Sequence, residues 1–115
     1  MLKSKIHRAS VTDANIDYEG SITIAKEMMH AADILPYERV SVFDVSNGAR
    51  LETYALEGSS KKGEVIINGA AARLVQKGDK VIIMTFVPME DRQAKNHHPK
   101  LVYVNERNAI IKRRG

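Results

Sequence analysis

Cysteine is absent from the 115 residues, which excludes disulfides, thiolate metal centres, cysteine nucleophiles and iron–sulfur clusters. A reducing, cytoplasmic setting is the expectation that follows. Tryptophan is absent too, and the aromatic residues are Phe43, Phe86 and four tyrosines. Stacking platforms for single-stranded nucleic acid are therefore scarce. No apolar run approaches the roughly 20 residues that a membrane span needs, and the first residues lack the apolar stretch of a signal peptide. Neither a membrane partner nor export is expected. Linear site signatures are also missing: there is no Walker-type loop, no G-x-G-x-x-G, no H-E-x-x-H and no G-x-S-x-G.

What is present suits one domain, since a chain of this length that is 43% hydrophobic can bury a single core. Val and Ile together number 21 against six Leu. Side chains branched at Cβ are stiff at χ1 and favour strands over helices, so a mainly β fold is expected. The net charge of +4 is uneven, because residues 91–115 hold seven Lys or Arg against Asp91 and Glu106 and the remainder is −1. A basic end without aromatic platforms is a weak nucleic-acid footprint, and no nucleic-acid partner is expected.

Along the chain, Leu2 to Val11 reads as a charged first strand and Asp13 to Gly20 as a loop. Ser21 to Ile24 resumes a strand, and Ala25 to Ala32 predicts a short helix that ends before Pro36. Glu38 to Val45 and Arg50 to Leu56 flank Ser46-Asn47-Gly48, whose residues tolerate positive φ, and so predict a hairpin. Glu57 to Glu64 reads as a polar loop, Val65 to Ile67 as a short strand, and Ala70 to Val75 as one or two helical turns. After the turn at Gly78-Asp79, Lys80 to Val87 predicts a core strand that Pro88 ends. Met89 to His98 reads as a polar connection, Lys100 to Val104 as a last strand, and Asn105 to Gly115 as a basic tail. Six or seven short strands with little helix point to a closed or nearly closed β-barrel, which removes exposed edges.

Few residues suggest chemistry directly. His97 and His98 are neighbours and point to opposite sides of an extended chain, which suits no chelate, and no metal is expected. Lys5 and His7 share one strand face. In Tyr18-Glu19-Gly20-Ser21, a serine hydroxyl can attack the preceding carbonyl if the backbone is strained and exposed, and glycine leaves room for that geometry. Elimination from the resulting ester, then hydrolysis, converts the serine position to a pyruvoyl group. A plain turn before a strand accounts for the same four residues.

The chain resembles the pyruvoyl-dependent aspartate 1-decarboxylases, which make β-alanine for pantothenate biosynthesis. The resemblance covers nearly the whole chain. It rests on Lys5-Ile6-His7-Arg8, Tyr18-Glu19-Gly20-Ser21, Ser46-Asn47-Gly48 with Arg50, Thr53-Tyr54-Ala55 and Ile67-Asn68-Gly69-Ala70-Ala71-Ala72, in this order. Gly78-Asp79 before an apolar strand also looks like the turn of double-ψ β-barrels, the fold of that family.

The resemblance implies self-cleavage between Gly20 and Ser21, giving a β chain of residues 1–20 and an α chain of residues 21–115 that starts with pyruvoyl. Thr53 would stabilise the oxyanion formed as Ser21 attacks. The pyruvoyl carbonyl would form a Schiff base with L-aspartate and draw off electrons as carbon dioxide leaves, without pyridoxal phosphate. Lys5 and Arg50 are implied as cations for the substrate carboxylates, Arg by its bidentate fork and Lys as a point charge. Tyr54 is implied as the proton donor. Thr53 would also bind the substrate, and Asn68, Gly69, Ala70 and Ala71 would touch the substrate and pyruvoyl group. A homotetramer with sites between subunits is implied as well. The competing reading is a non-catalytic barrel that binds nucleic acid or protein through its basic tail, and a preference for another acidic amino acid also stays open.

Overall fold

Strand-forming runs and turn residues alternate along a computed structural model that describes residues 1–58 and 62–115. The strands are β1 (Leu2–Ser10), β2 (Asp13–Asn15), β3 (Ile22–Ala25), β4 (Arg39–Asp44), β5 (Arg50–Gly58), β6 (Val65–Asn68), β7 (Lys80–Phe86), β8 (Lys100–Val104) and β9 (Ile110–Arg114). The helices are α1 (Lys26–Ala32) and the single turn α2 (Asp91–Ala94), with a 3-10 helix over Gly69–Arg73. The strands form one mixed sheet in the order β2-β6-β3-β5-β4-β7-β1-β8-β9.

Period-two alternation decides which face is inside. Ile22 and Ile24, Val40 and Val42, Val65 and Ile67, and Val81 and Ile83 all turn inward and join Ile6 and Val102 in one buried cluster. Met28 and Met29 of α1 complete it. Strands from both halves of the sheet thus share a single core, so the sheet curls around it as a β-barrel does. Each fully buried Ile or Val contributes about 1.5–3 kcal/mol relative to an exposed one. The mainly β expectation holds.

β5 carries the chain from one half of the sheet to the other. Arg50 to Tyr54 pair antiparallel with β4, whereas Ala55 to Gly58 pair parallel with β3. The changeover falls between Tyr54 and Ala55. β3 in turn lies between β5 and β6, with Ile22 opposite both Ala55 and Ile67.

Several expected boundaries shift. Asp13 to Asn15, expected within a loop, pairs parallel with β6, a contact set by a distant strand that three residues cannot signal. The tail expected over Asn105 to Gly115 instead contains β9, antiparallel to β8. Its cations hid the strand, yet Lys and Arg are what keep an edge strand from pairing with another chain. Lys112 lies over the Tyr103 ring at 5.5 Å. The polar connection holds the turn α2, and the helix expected over Ala70 to Val75 begins one residue earlier as 3-10. β5 runs through Gly58 into the loop expected over Glu57 to Glu64, of which 59–61 lie outside the described residues.

The expected hairpin joins β4 to β5 and is held by Asp44, which is 2% exposed. Its Oδ1 accepts the Ser46 and Asn47 amides at 2.8 and 3.2 Å, and Gly48 takes φ 79°. Its Oδ2 is buried with no donor among the described residues, beside the Asp79 carboxyl from the turn before β7. Burial, and then Asp79, raise the Asp44 pKa above its ordinary 3.8. Within the window from 3.8 up to that raised value the unfolded chain releases a proton that the fold retains, and stability falls as pH rises. Asp44→Asn keeps the acceptor oxygen and removes the titration. Its urea midpoint is expected to gain on that of the wild type as pH rises above about 4; a constant difference would show that Asp44 is ionised in the fold.

Candidate active site

The β3 register places Ser21 just before the paired region, where the Asn68 amide donates to the Ser21 carbonyl at 3.0 Å. Asn68 Nδ2 donates to Thr23 Oγ1 at 3.1 Å and lies 3.5 Å from Ser21 Oγ. Ser21 is 2% exposed and Asn68 is buried. Gly20 and Ser21 have φ of 31° and 84° in succession. Positive φ suits glycine, whereas at a serine it costs about 1–3 kcal/mol and persists only where the surroundings impose it.

Those surroundings are visible atom by atom. Gly69, at φ 64°, sits so close that a Cβ on it would lie 2.8 Å from the Gly20 nitrogen and 3.0 Å from the Tyr18 carbonyl oxygen. A Cβ on Gly20 would meet Tyr54 Oη at 3.4 Å, so the phenol lies beside Gly20. A cavity of about 230 Å³ opens beside it, lined by Gly20, Ser21, Leu51, Glu52, Thr53, Asn68, Ala70, Ala71 and Leu74. Small side chains at Ala70 and Ala71 leave the 3-10 helix backbone close to that space. Chemically, the arrangement offers a strained serine, a threonine hydroxyl, a phenol and a buried amide around one peptide bond.

The cavity therefore gathers Gly20, Ser21, Thr53, Asn68, Ala70 and Ala71 from the expected set, with Gly69 and Tyr54 packed on Gly20. Arg50 and Lys5 are not among its lining residues. Arg50 shares the outer face of β5 with Glu52 and Tyr54, stacks over Phe43 at 4.2 Å and lines a separate groove with Ser41 and Phe86. Lys5 stands in a cross-strand row with Met84, Ser41 and Glu52, three strand spacings or about 14 Å from Glu52. His7, on the Lys5 face, packs edge-on to Tyr103, with Nδ1 buried and without a partner among the described residues. Burial, Lys5 and Arg8 lower its pKa, so it is neutral at pH 7.

Sequence reasoning did not single out Leu51, Glu52 or Leu74. Alternation along β5 puts Glu52 on the Arg50 and Tyr54 face, which was a readable signal, whereas Leu51 and Leu74 meet only through the fold. Glu52 lines both the cavity and the Arg50 groove and pairs with Arg39 at 2.8 Å. Tyr37 stacks on Tyr54, with ring centroids 6.4 Å apart.

Comparison with known proteins decides the family. The aspartate decarboxylase family model matches residues 1–111. The chain belongs to the aspartate decarboxylase family. A protein named aspartate 1-decarboxylase from Thermoanaerobacter pseudethanolicus is 57% identical over 111 residues, covering 96% of this chain and 95% of the relative. Its namesake in Dehalococcoides mccartyi (strain ATCC BAA-2266 / KCTC 15142 / 195) is also 57% identical, over 97% of this chain and 90% of its own length. Another in Carboxydothermus hydrogenoformans is 54% identical over 97% and 88%. Membership in the aspartate decarboxylase family makes this cavity the candidate active site.

The closest backbone approach in it is testable without an activity assay. Gly69→Ala combines a left-handed φ with a Cβ inside the Gly20 backbone. It is expected to lower stability by about 2 kcal/mol or more in urea denaturation, from the left-handed strain plus the clash. A loss below about 0.5 kcal/mol would mean that the Tyr18 to Gly20 segment yields freely.

Proposed function

We propose that the protein decarboxylates L-aspartate to β-alanine and carbon dioxide, using a pyruvoyl group made from Ser21 by cleavage of its own Gly20–Ser21 bond. The observation that carries this reading is the pair of positive φ values at Gly20 and Ser21, held by Gly69 and Asn68 beside a cavity of small-molecule size. Strain of that kind is sustained where function uses it. Ser21 Oγ attacks the Gly20 carbonyl carbon, Thr53 donates to the developing oxyanion, and the peptide nitrogen leaves as the ester forms. Loss of the Ser21 Cα proton then expels Gly20 as a free carboxylate, and water displaces ammonia from the dehydroalanine left at residue 21, so that chains of residues 1–20 and 21–115 result. The double-ψ connectivity of the barrel and a role in supplying pantothenate belong to the same reading, as does a cytoplasmic location.

The residues present fit the group: residue 21 is buried, its carbonyl is already hydrogen-bonded by Asn68, and Gly69 leaves its neighbour unobstructed. When formed, the pyruvoyl group supplies an electrophilic carbonyl that holds the substrate amine and accepts the electrons released with carbon dioxide. Asn68 and the backbone of residues 69–71 orient what enters the cavity. Tyr54 Oη delivers a proton to the substrate carbon that has lost its carboxylate, and the phenolate recovers one from water.

Arg50 and Lys5 bind the substrate carboxylates in this reading, although within one chain they stand apart from the Ser21 cavity. Active sites between subunits of a homotetramer reconcile the two facts, because a second copy can bring its outer sheet face to this cavity. The apolar Phe86, Met84 and Phe43 on that face support such a contact. No nucleic acid or membrane enters the proposal, and no helix among the described residues is long and apolar enough to cross a membrane.

Ser21→Ala is expected to fold as one uncleaved, inactive chain, whereas the wild type resolves into two masses meeting at Gly20 and Ser21 under denaturing mass spectrometry. A wild type that persists as one mass after incubation would overturn the proposal in favour of a binding role for the basic β9 strand. Tyr54→Phe is expected to cleave normally yet lose about a hundredfold or more in kcat, the scale of a positioned general acid. Near-normal turnover would place the proton donor elsewhere.

A further inference from the structure

The four residues after α1 hold an unusual choice of side chain. Leu35, Pro36, Tyr37 and Glu38 make a tight turn in which the Glu38 amide donates to the Leu35 carbonyl at 3.1 Å. Pro36 is second in the turn, and Tyr37, third, has φ 70°. Proline second with a positive φ third is the type II pattern, whose third position calls for glycine or asparagine. A bulky residue there is a genuine outlier. Burial does not account for it, since Tyr37 is 75% exposed. What the ring does contact is Tyr54, at 6.4 Å between centroids and 27° between planes. The turn is also tied to β5 right beside Tyr54, for the Tyr37 amide donates to the Ala55 carbonyl at 2.7 Å and the Ala55 amide to Glu38 at 2.9 Å.

Tyr54 needs such support. It is 39% exposed and sits where β5 changes partner from β4 to β3, so neighbouring strands alone leave its ring room to change rotamer. A proton donor works only within hydrogen-bond reach of its acceptor. We propose that Tyr37 is a positioning residue for Tyr54: the strained turn presents its ring as a wall that holds the Tyr54 phenol beside Gly20. This inference rests on the role given to Tyr54 in the proposed function. Strain at Tyr37 is then retained for turnover at the expense of stability, and the two properties move in opposite directions when the ring is removed.

Tyr37→Asn removes the ring and suits the left-handed turn, while Tyr37→Phe keeps the ring. The asparagine variant is expected to cleave, to keep the wild-type oligomeric state and to melt no lower than the wild type. Its kcat is expected to fall about fivefold or more with KM for L-aspartate within about twofold, the pattern of an interaction made only in the transition state. The phenylalanine variant is expected to restore kcat. A second readout needs no turnover: in protein labelled with 3-fluorotyrosine, the Tyr54 resonance, identified by its loss in Tyr54→Phe, is expected to move in Tyr37→Asn. Unchanged kcat, a kcat loss that comes with a lower melting temperature or with dissociation, or failure of the phenylalanine to restore it overturns the inference. An unmoved Tyr54 resonance overturns the positioning alone. A wild type that does not decarboxylate overturns the proposed function, and with it any part for Tyr37 in turnover.

Discussion

The insertion of β3 between β5 and β6 is the constraint on which the rest depends. Four residues, Ile22 to Ala25, take a parallel partner on one side and an antiparallel one on the other. Ile22 and Ile24 are buried on the inner face. A one-residue slip would turn both isoleucines outward, so the core fixes the register and the register fixes where residues 20 and 21 stand. Residue 21 then lies between the end of β6, which supplies Asn68, and the point of β5 where Thr53 and Tyr54 emerge. The strain at Gly20 and Ser21 is the price of that placement, and the two ladders supply the restraint that maintains it.

The second constraint is close backbone approach. Gly69 packs on the Gly20 nitrogen and the Tyr18 carbonyl with no space for a side chain, so the short 3-10 helix can lie directly under the strained peptide. Alanines at 70 and 71 extend the same economy of volume along the cavity wall. The polar groups around that wall come from β5, β6 and the loop before β3, none of which holds the site alone.

Much of this was legible in the sequence, and the exceptions have physical reasons. The hairpin at Ser46-Asn47-Gly48 follows from turn chemistry that acts locally, and the Lys80 to Val87 run from β-branching. Gly20, Ser21, Thr53 and Asn68 were grouped through family resemblance, and the fold brings them to one cavity. β2 was missed because its partner β6 is far away in sequence, and β9, although it pairs with the adjacent β8, because its composition is basic. Arg50 and Lys5 were expected beside the same site, yet strand order puts them on an outer face whose distance from the cavity no motif encodes. Tyr37 left no local trace: Pro36-Tyr37 reads as an ordinary turn, and only the φ of 70° shows that the position asks for glycine.

By itself, then, the sequence determined the fold class, the main strands and the hairpin, because β-branching, alternation and turn preference act over a few residues, while the candidate residues Gly20, Ser21, Thr53 and Asn68 came from family resemblance. Which of those residues share a cavity was decided only by the tertiary structure. That grouping depends on a strand order in which neighbours are distant in the chain, on the switch of β5 from one partner to another, and on a backbone contact between Gly69 and Gly20. Ladder hydrogen bonds and core packing over the whole barrel set all three, and no short stretch of residues contains them.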